Sequence, residues 1–262
     1  MLKVLIAAGT FSITVLQRRS SKSAPPTDPS VRLVTVDDDM SLDSLRDALQ
    51  DQDAVIASFR PRDVGVHLRL ADAAAAAGVK RFIPADFGSC DSSSARVQEL
   101  VPLFLAKVRV RQRLQELAAE KPGFTWTSLV TGHLFDWGLK ENFLHFNLKT
   151  RTADILDDGK YRSSTSTLER VSEAVVKVLQ NEEVGRNKML FVQSFCVSQL
   201  DVLASLEKAT GAKWKEAVED LVFALGAVDG DWESKDDFAM GPLGLKNEDL
   251  DEVVQRVVSE TT

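Results

Sequence analysis

The ten residues Val79-Lys80-Arg81-Phe82-Ile83-Pro84-Ala85-Asp86-Phe87-Gly88 restrict the fold more than any other stretch of the chain. Arg81 to Pro84 read as a short, extended, apolar run closed by a proline, which has no N–H for a central ladder, and Gly88 is expected to let the backbone leave the sheet. Just upstream, Leu70 to Gly78 is alanine-rich and stops on glycine, the pattern of a helix and its C-terminal signal. Helix, short turn, buried strand and loop make one half of a βαβ unit. Ligands of open α/β sheets bind beyond the carboxyl ends of the strands, so Pro84 to Ser89 is expected to line a crevice.

The neighbouring segments keep the same alternation. Val31 to Val36 reads as a strand, Ser41 to Gln50 as a helix capped by Ser41, Ala54 to Phe59 as a strand and Val64 to Gly78 as a helix. A further helix is expected from Val101 to about Glu120, with Pro102 at its first position, followed by a strand at Phe124 to Val130. Phe11, Ile13 and Val15 alternate with Ser12 and Thr14, the period of a strand that ends in the polar run Gln17 to Ser21. The pattern predicts the α/β class with a doubly wound, Rossmann-like parallel sheet. From Lys140 onward the alternation is less regular, with helices expected at Leu168 to Leu179, Ser198 to Thr210 and Asn247 to Val258. We divide the chain at 1–139 and 140–262, the second part being a smaller substrate-side lobe without a clean linker.

The start departs from a complete doubly wound domain. A first strand, a glycine-rich turn and a helix should precede the Phe11 strand, yet residues 1–30 contain no G-x-x-G-x-x-G or G-x-G-x-x-G. Roughly 20 residues that would hold a pyrophosphate are missing relative to a full fingerprint, so the domain is expected to be N-terminally truncated. Two readings of Met1 to Ala8 compete. Leu2, Leu5 and Ile6 follow helical spacing and fit the end of that helix; alternatively KVLIA is the first strand. The helix remnant is preferred, because the residues after KVLIA are too few for a parallel crossover.

Composition excludes several functional classes. A net charge of −7 lacks the basic excess of a general nucleic-acid binder. No apolar run reaches the ~18 residues of a membrane span, and the two cysteines, Cys90 and Cys196, have neither metal spacing nor a disulfide framework. The reading is a cytoplasmic protein with no membrane association and no direct nucleic-acid partner.

The string RFIPADFG, preceded by AAGVK, resembles the signature of the NmrA-like and isoflavone-reductase-like proteins, atypical short-chain dehydrogenases that bind NADP(H). The similarity extends through VPLFLAKVRVRQRLQEL, TWTSLVTGHLFDWGL and LEKATGAKW, and so covers nearly the whole chain. It implies an NADPH-dependent reductase of a small aromatic molecule. The Y-x-x-x-K pair of other short-chain dehydrogenases is absent, since Tyr161 is the only tyrosine and no such lysine follows it.

Within the expected helix, Leu103, Val110, Leu114 and Leu117 form an apolar stripe that contains Lys107. An ammonium desolvated there is suited to general acid or base chemistry, whereas a snorkelling lysine would cover apolar surface. The resemblance implies the first, because the K-x-x-x-R at Lys107 to Arg111 is similar to the family's proton-transferring lysine. Arg18 and Arg19, at a strand end where an arginine accommodates the 2′-phosphate of NADP, are cofactor candidates, with a solvated basic turn as the alternative. Phe59, Pro84, Asp86 and Phe87 are placed along the cofactor at the ends of neighbouring strands, while Arg60 and Arg62 read as surface charges. His133 and Trp137, in an expected loop from Gly132 to Leu139, are candidates for hydrogen bonding and stacking on an aromatic substrate, or else structural groups. His67 and His145 read as structural. Alternatives of another kind are a non-catalytic NAD(P)-sensing regulator with a protein partner, or an inactive reductase fragment.

Overall fold

Strand-forming runs separated by capped helices give the chain its order. The structure is a computed structural model that describes residues 9–59, 63–101, 103–219 and 230–261. The competing readings of Met1 to Ala8, the Arg60 to Arg62 loop and the position of Pro102 lie outside the described residues. In chain order the elements are β1 Ile13–Arg18, β2 Val31–Val36, α1 Leu42–Ala48, β3 Ala54–Ile56, α2 Val64–Ala76, β4 Arg81–Ile83, α3 Ala95–Leu100, α4 Leu103–Glu120 and β5 Thr125–Val130. They continue with β6 His133–Leu134, α5 Phe135–Lys140, β7 Phe146–Asn147, β8 Thr152–Leu156, β9 Ser163–Ser166, α6 Leu168–Gln180, β10 Lys188–Phe191, β11 Phe195–Val197, α7 Gln199–Thr210, β12 Lys215–Glu219 and α8 Leu250–Thr261.

The chain forms two compact units that interleave along the sequence. Met1–Asp86, Val101–Leu129 and Val176–Met189 make the first, and Phe87–Leu100, Val130–Val175 and Leu190–Thr262 the second.

In the first unit β3, β4 and β5 run parallel, with Ala54 opposite Arg81 and Arg81 opposite Thr125. The sheet order is β10-β5-β4-β3, and β1 and β2 form a separate parallel pair with Ile13 opposite Val31. The expected parallel α/β architecture is therefore present. Among the described residues β1 shares no ladder with β3. Helix α1 begins on the expected cap, Ser41 Oγ accepting from Ser44 N at 3.3 Å. Helix α2 packs a row of fully buried small side chains, Ala71, Ala73, Ala74 and Ala75, into a core with Phe82, Leu114, Leu117 and Trp126. Gly78 ends it at φ 82°, a left-handed conformation that costs glycine little.

Three local expectations are corrected. The chain does not leave the sheet at Gly88; the left-handed residue after β4 is Phe87 at φ 35°. Gly88 instead makes a parallel bridge with Val130, its carbonyl accepting from Thr131 N and Gly132 N at 3.0 and 3.1 Å. On α4 the expected stripe holds at Val110, Leu114 and Leu117 and fails at its first member: Leu103 is 54% exposed, Phe104 is buried in its place, and Arg111 joins the buried face. Gly132 to Leu139 is not a loop but β6 followed by α5, because β6 finds a parallel partner in β9, His133 lying opposite Thr165.

The second unit has its own core of Phe135, Leu139, Phe146, Ile155, Phe195, Leu206, Trp214 and Val254. Ser198 caps α7 in a reciprocal box with Asp201. Gly132, at φ 69°, lies so close to β9 that an added Cβ would meet the Ser164 carbonyl oxygen at 1.9 Å. Gly132→Ala combines left-handed strain with a backbone clash and is expected to destabilise the protein by about 2–5 kcal/mol, read from the urea midpoint at unchanged m-value.

Candidate active site

Proline closes β4 and the chain folds back at once. Pro84 has no N–H to offer, and Asp86 N donates to Pro84 O at 2.8 Å, a tight turn that carries the Asp86 side chain into the first unit. The carboxylate is 2% exposed. A charge so placed must be paired and hydrogen-bonded, since isolated burial is prohibitively costly.

Its partners follow from helix and strand periods. Along α4, Phe104, Lys107, Arg111 and Leu114 are spaced by three or four residues and share a face. Along β5, alternation sends Ser128 to the same side as Trp126. Arg111 Nη1 and Ser128 Oγ each donate to Asp86 Oδ2 at 2.5 Å. Lys107 Nζ lies 3.5 Å from Asp86 Oδ1 and donates to the Asp86 backbone carbonyl. The Lys107 side chain is 13% exposed and that of Arg111 8%, so this is one carboxylate held between two largely buried cations. Lys107 Nζ also stands 5.1 Å from the centre of the Phe104 ring.

His67 completes the cluster from α2. Its Nε2 accepts from Ala85 N at 3.3 Å, and its ring meets Phe59 edge-on at 5.4 Å and Phe82 at 6.2 Å. Burial pushes its pKa down to about 4, Asp86 opposing the shift and Lys107 adding to it. The ring is therefore neutral near pH 7 and free to accept the backbone N–H.

On the opposite face of β4, Arg81 donates to Thr127 Oγ1 at 2.5 Å and to the Glu182 carbonyl. Burial, and after it Arg186, holds its guanidinium below the usual range.

The structure thus brings Lys107, Asp86 and, through His67, Phe59 together at the end of β4, with Pro84 forming the turn. Arg111 and Ser128 were not singled out from sequence. Arg111 could have been, as it lies four residues after Lys107 on the same helix face. Arg18 and Arg19 stand at the exposed end of β1 among the acidic residues that follow β2. Arg19 pairs with Asp37 at 3.2 Å, and Ser20 N donates to Asp38 at 2.8 Å. The Ser20 hydroxyl, then its N–H, lowers the Asp38 carboxyl, with weaker contributions from Arg18 and Arg19.

His133 and Trp137 belong to the second unit, where both are exposed beside Phe143. The ring centres are 5.7 Å apart for His133 and Phe143 and 5.5 Å for Trp137 and Phe143. The protein packed around the His133 ring, followed by His145, pushes its pKa down, an effect that its solvent exposure limits. Among the described residues no group of His, Cys, Asp or Glu is arranged to hold a metal ion, and no helix is long and apolar enough to cross a membrane.

Parallel strands alternating with helices, with a lysine and a carboxylate buried where β4 ends, define a Rossmann-like α/β protein. A family model described as the NmrA-like family matches residues 2–218, and the chain belongs to that family. Oxidoreductase aprR of Aspergillus flavus is 37% identical over 205 residues, covering 78% of this chain and 67% of that protein. Oxidoreductase poxI of Penicillium oxalicum is 30% identical over 285 residues, 95% of this chain and 87% of that protein. That span exceeds the 262 residues here, so poxI carries residues without a counterpart in this chain. The solved structure of AtPrR2 with NADP+ and (+)pinoresinol has a TM-score of 0.77 at 20% identity, covering 98% of this chain and 94% of its own. A crystal structure of isoflavone reductase gives 0.72 at 19%, covering 97% and 94%.

His67 makes stability depend on pH. Its folded pKa of about 4 lies below the ordinary 6.5, so its contribution is complete above 6.5. As pH falls from there toward 4, the unfolded chain takes up a proton that the folded chain resists, and up to about 3 kcal/mol is lost. Urea unfolding across this range should show the slope, and His67→Leu should lose it whatever its stability at neutral pH.

Proposed function

We propose that this chain is an NADP(H)-dependent oxidoreductase acting on a small, aromatic molecule, with Lys107 as the group that supplies or relays the proton. The observation that carries the reading is Lys107 itself: an ammonium largely out of water, located at the carboxyl end of a parallel strand, where open α/β sheets bind their ligands. Membership of the NmrA-like family and similarity to two fungal oxidoreductases support it. Bound there, a nicotinamide would supply the hydride. The chain's part is to hold a proton at Lys107 Nζ, exclude water with Phe59, Phe82 and Phe104, and keep His67 neutral beneath the turn. Pro84, Asp86 and Phe87 would line the nicotinamide side of this end. The exposed rings of His133, Trp137 and Phe143 would meet an aromatic substrate, a class also bound by AtPrR2 in its complex with (+)pinoresinol.

The residues fit the dinucleotide unevenly. Arg18 suits a 2′-phosphate, but Asp37 and Asp38 share its corner and repel one. Residues 1–30 contain neither G-x-x-G-x-x-G nor G-x-G-x-x-G, the motifs whose turn and helix receive a pyrophosphate. That absence favours a second reading, a chain whose cofactor grip is impaired and whose role is sensing or contact with a protein partner.

Two measurements separate these readings. For the chain of this sequence, NADPH at about 1 mM should raise the melting temperature by only about 1–2 °C, the effect of a Kd near the ligand concentration. Restoring a strand, a G-x-x-G-x-x-G turn and a helix ahead of the Phe11 strand should raise that shift several-fold, and adding Arg18→Asp to that chain should cancel its preference for NADPH over NADH. A micromolar Kd for the unaltered chain would remove the impaired-grip reading. In the repaired chain Lys107→Met should retain NADPH binding while kcat falls on the order of 10² or more. Full turnover in that variant would move the proton transfer elsewhere, His133 being the next candidate.

A further inference from the structure

We propose that Asp86 and Arg111 act as a clamp on Lys107: Asp86 is a positioning residue that locates the ammonium, and Arg111 competes for the same carboxylate so that Lys107 can release its proton. The inference rests on the reading of Lys107 as proton donor, and it gives the Asp86 side chain a role toward the lysine in addition to its place beside the nicotinamide.

The two oxygens of Asp86 are unequal. Oδ2 receives both 2.5 Å bonds, from Arg111 and Ser128. Oδ1 is buried and accepts no hydrogen bond from the described residues; it faces Lys107 Nζ across 3.5 Å. Lys107 spends a hydrogen bond on the Asp86 backbone carbonyl instead, so the peptide of the turn sets where the ammonium sits. The charge opposite it is one that a guanidinium already shares.

That sharing matters for proton transfer. A lysine alone with a carboxylate at this range is held charged, typically by one to three pKa units, and makes a poor donor near neutrality. A buried lysine without any counter-charge tends to lose its proton outright. One carboxylate divided between Lys107 and a guanidinium, which stays charged at every ordinary pH, falls between these limits. Among the described residues, His67 on α2 also faces the cluster, neutral above about pH 4 and so nearly constant through the working range. The helix spacing makes the arrangement local: Lys107 and Arg111 are one turn apart and Asp86 lies across from both.

The test measures Lys107 directly and needs neither cofactor nor substrate. Reductive methylation of the full chain with isotope-labelled formaldehyde, with Lys107→Arg to identify its resonance, gives the titration midpoint of Lys107 by NMR. Asp86→Asn should lower that midpoint by about one unit or more, and Arg111→Gln, which removes the competing cation, should raise it by a similar amount. Asp86→Glu, which keeps the charge, should stay within about half a unit of the parent. Circular dichroism and the melting transition establish that each variant folds. If Asp86→Asn fails to fold, the sign of the Arg111→Gln shift decides. Opposite shifts support the clamp; an unmoved midpoint in either folded variant, or shifts of the same sign, overturns it. Opposite shifts with full turnover in Lys107→Met would keep the clamp and remove the proton-donor reading, and unmoved midpoints with an inactive Lys107→Met would do the reverse.

Discussion

A carboxylate with almost no access to water has to be neutralised where it stands, and the surroundings of Asp86 follow from that requirement. Removing one partner of a buried ion pair typically costs about 3–5 kcal/mol, because the other charge is stranded. Strand β4, its proline stop, the face of α4 and the alternation of β5 are therefore mutually constrained: each must deliver its group to the same small volume. Arg111 and Ser128 take one carboxylate oxygen and Lys107 faces the other, which makes the cluster asymmetric.

The alanine-rich α2 serves the same cluster from the other side. Its small side chains let it lie close to the sheet, near enough for His67 to accept the Ala85 N–H directly after Pro84. Arg113 ties α4 to α2 through Asp72 at 2.8 Å, one helix turn or less from the leucines that fill the space between them. The helix that carries Lys107 is thus fixed both by core packing and by a charge pair at its margin.

The sheet tells a less complete story. The pair β1–β2 and the run β3–β4–β5–β10 are each regular and parallel where their registers are defined, yet among the described residues they do not join. Membership of the NmrA-like family is secure on the match over residues 2–218, while the grip on a dinucleotide is a separate physical question about backbone N–H groups.

The sequence by itself determined the fold class and most of its elements, because these depend on local periods: Val31–Val36 appeared as read, the helix with Lys107 ran to Glu120, and Ser41 capped its helix. It also singled out Lys107 and Asp86, through a charged residue in an apolar setting and a motif at a strand end. What it missed were relations between distant segments. The helical phase that exposes Leu103 and buries Arg111 depends on which face meets the sheet, and the strand at His133 exists because Ser163–Ser166 lies beside it. The left-handed residue at the turn was Phe87 rather than the glycine next to it, since the bridge from Gly88 to Val130 holds the glycine extended with its strand partner. Above all, only the tertiary structure decided that Asp86 belongs to Lys107 and Arg111. A carboxylate's partners are chosen by distance and burial, and residues 86, 107, 111 and 128 acquire both only when the strand, the helix and the next strand have packed.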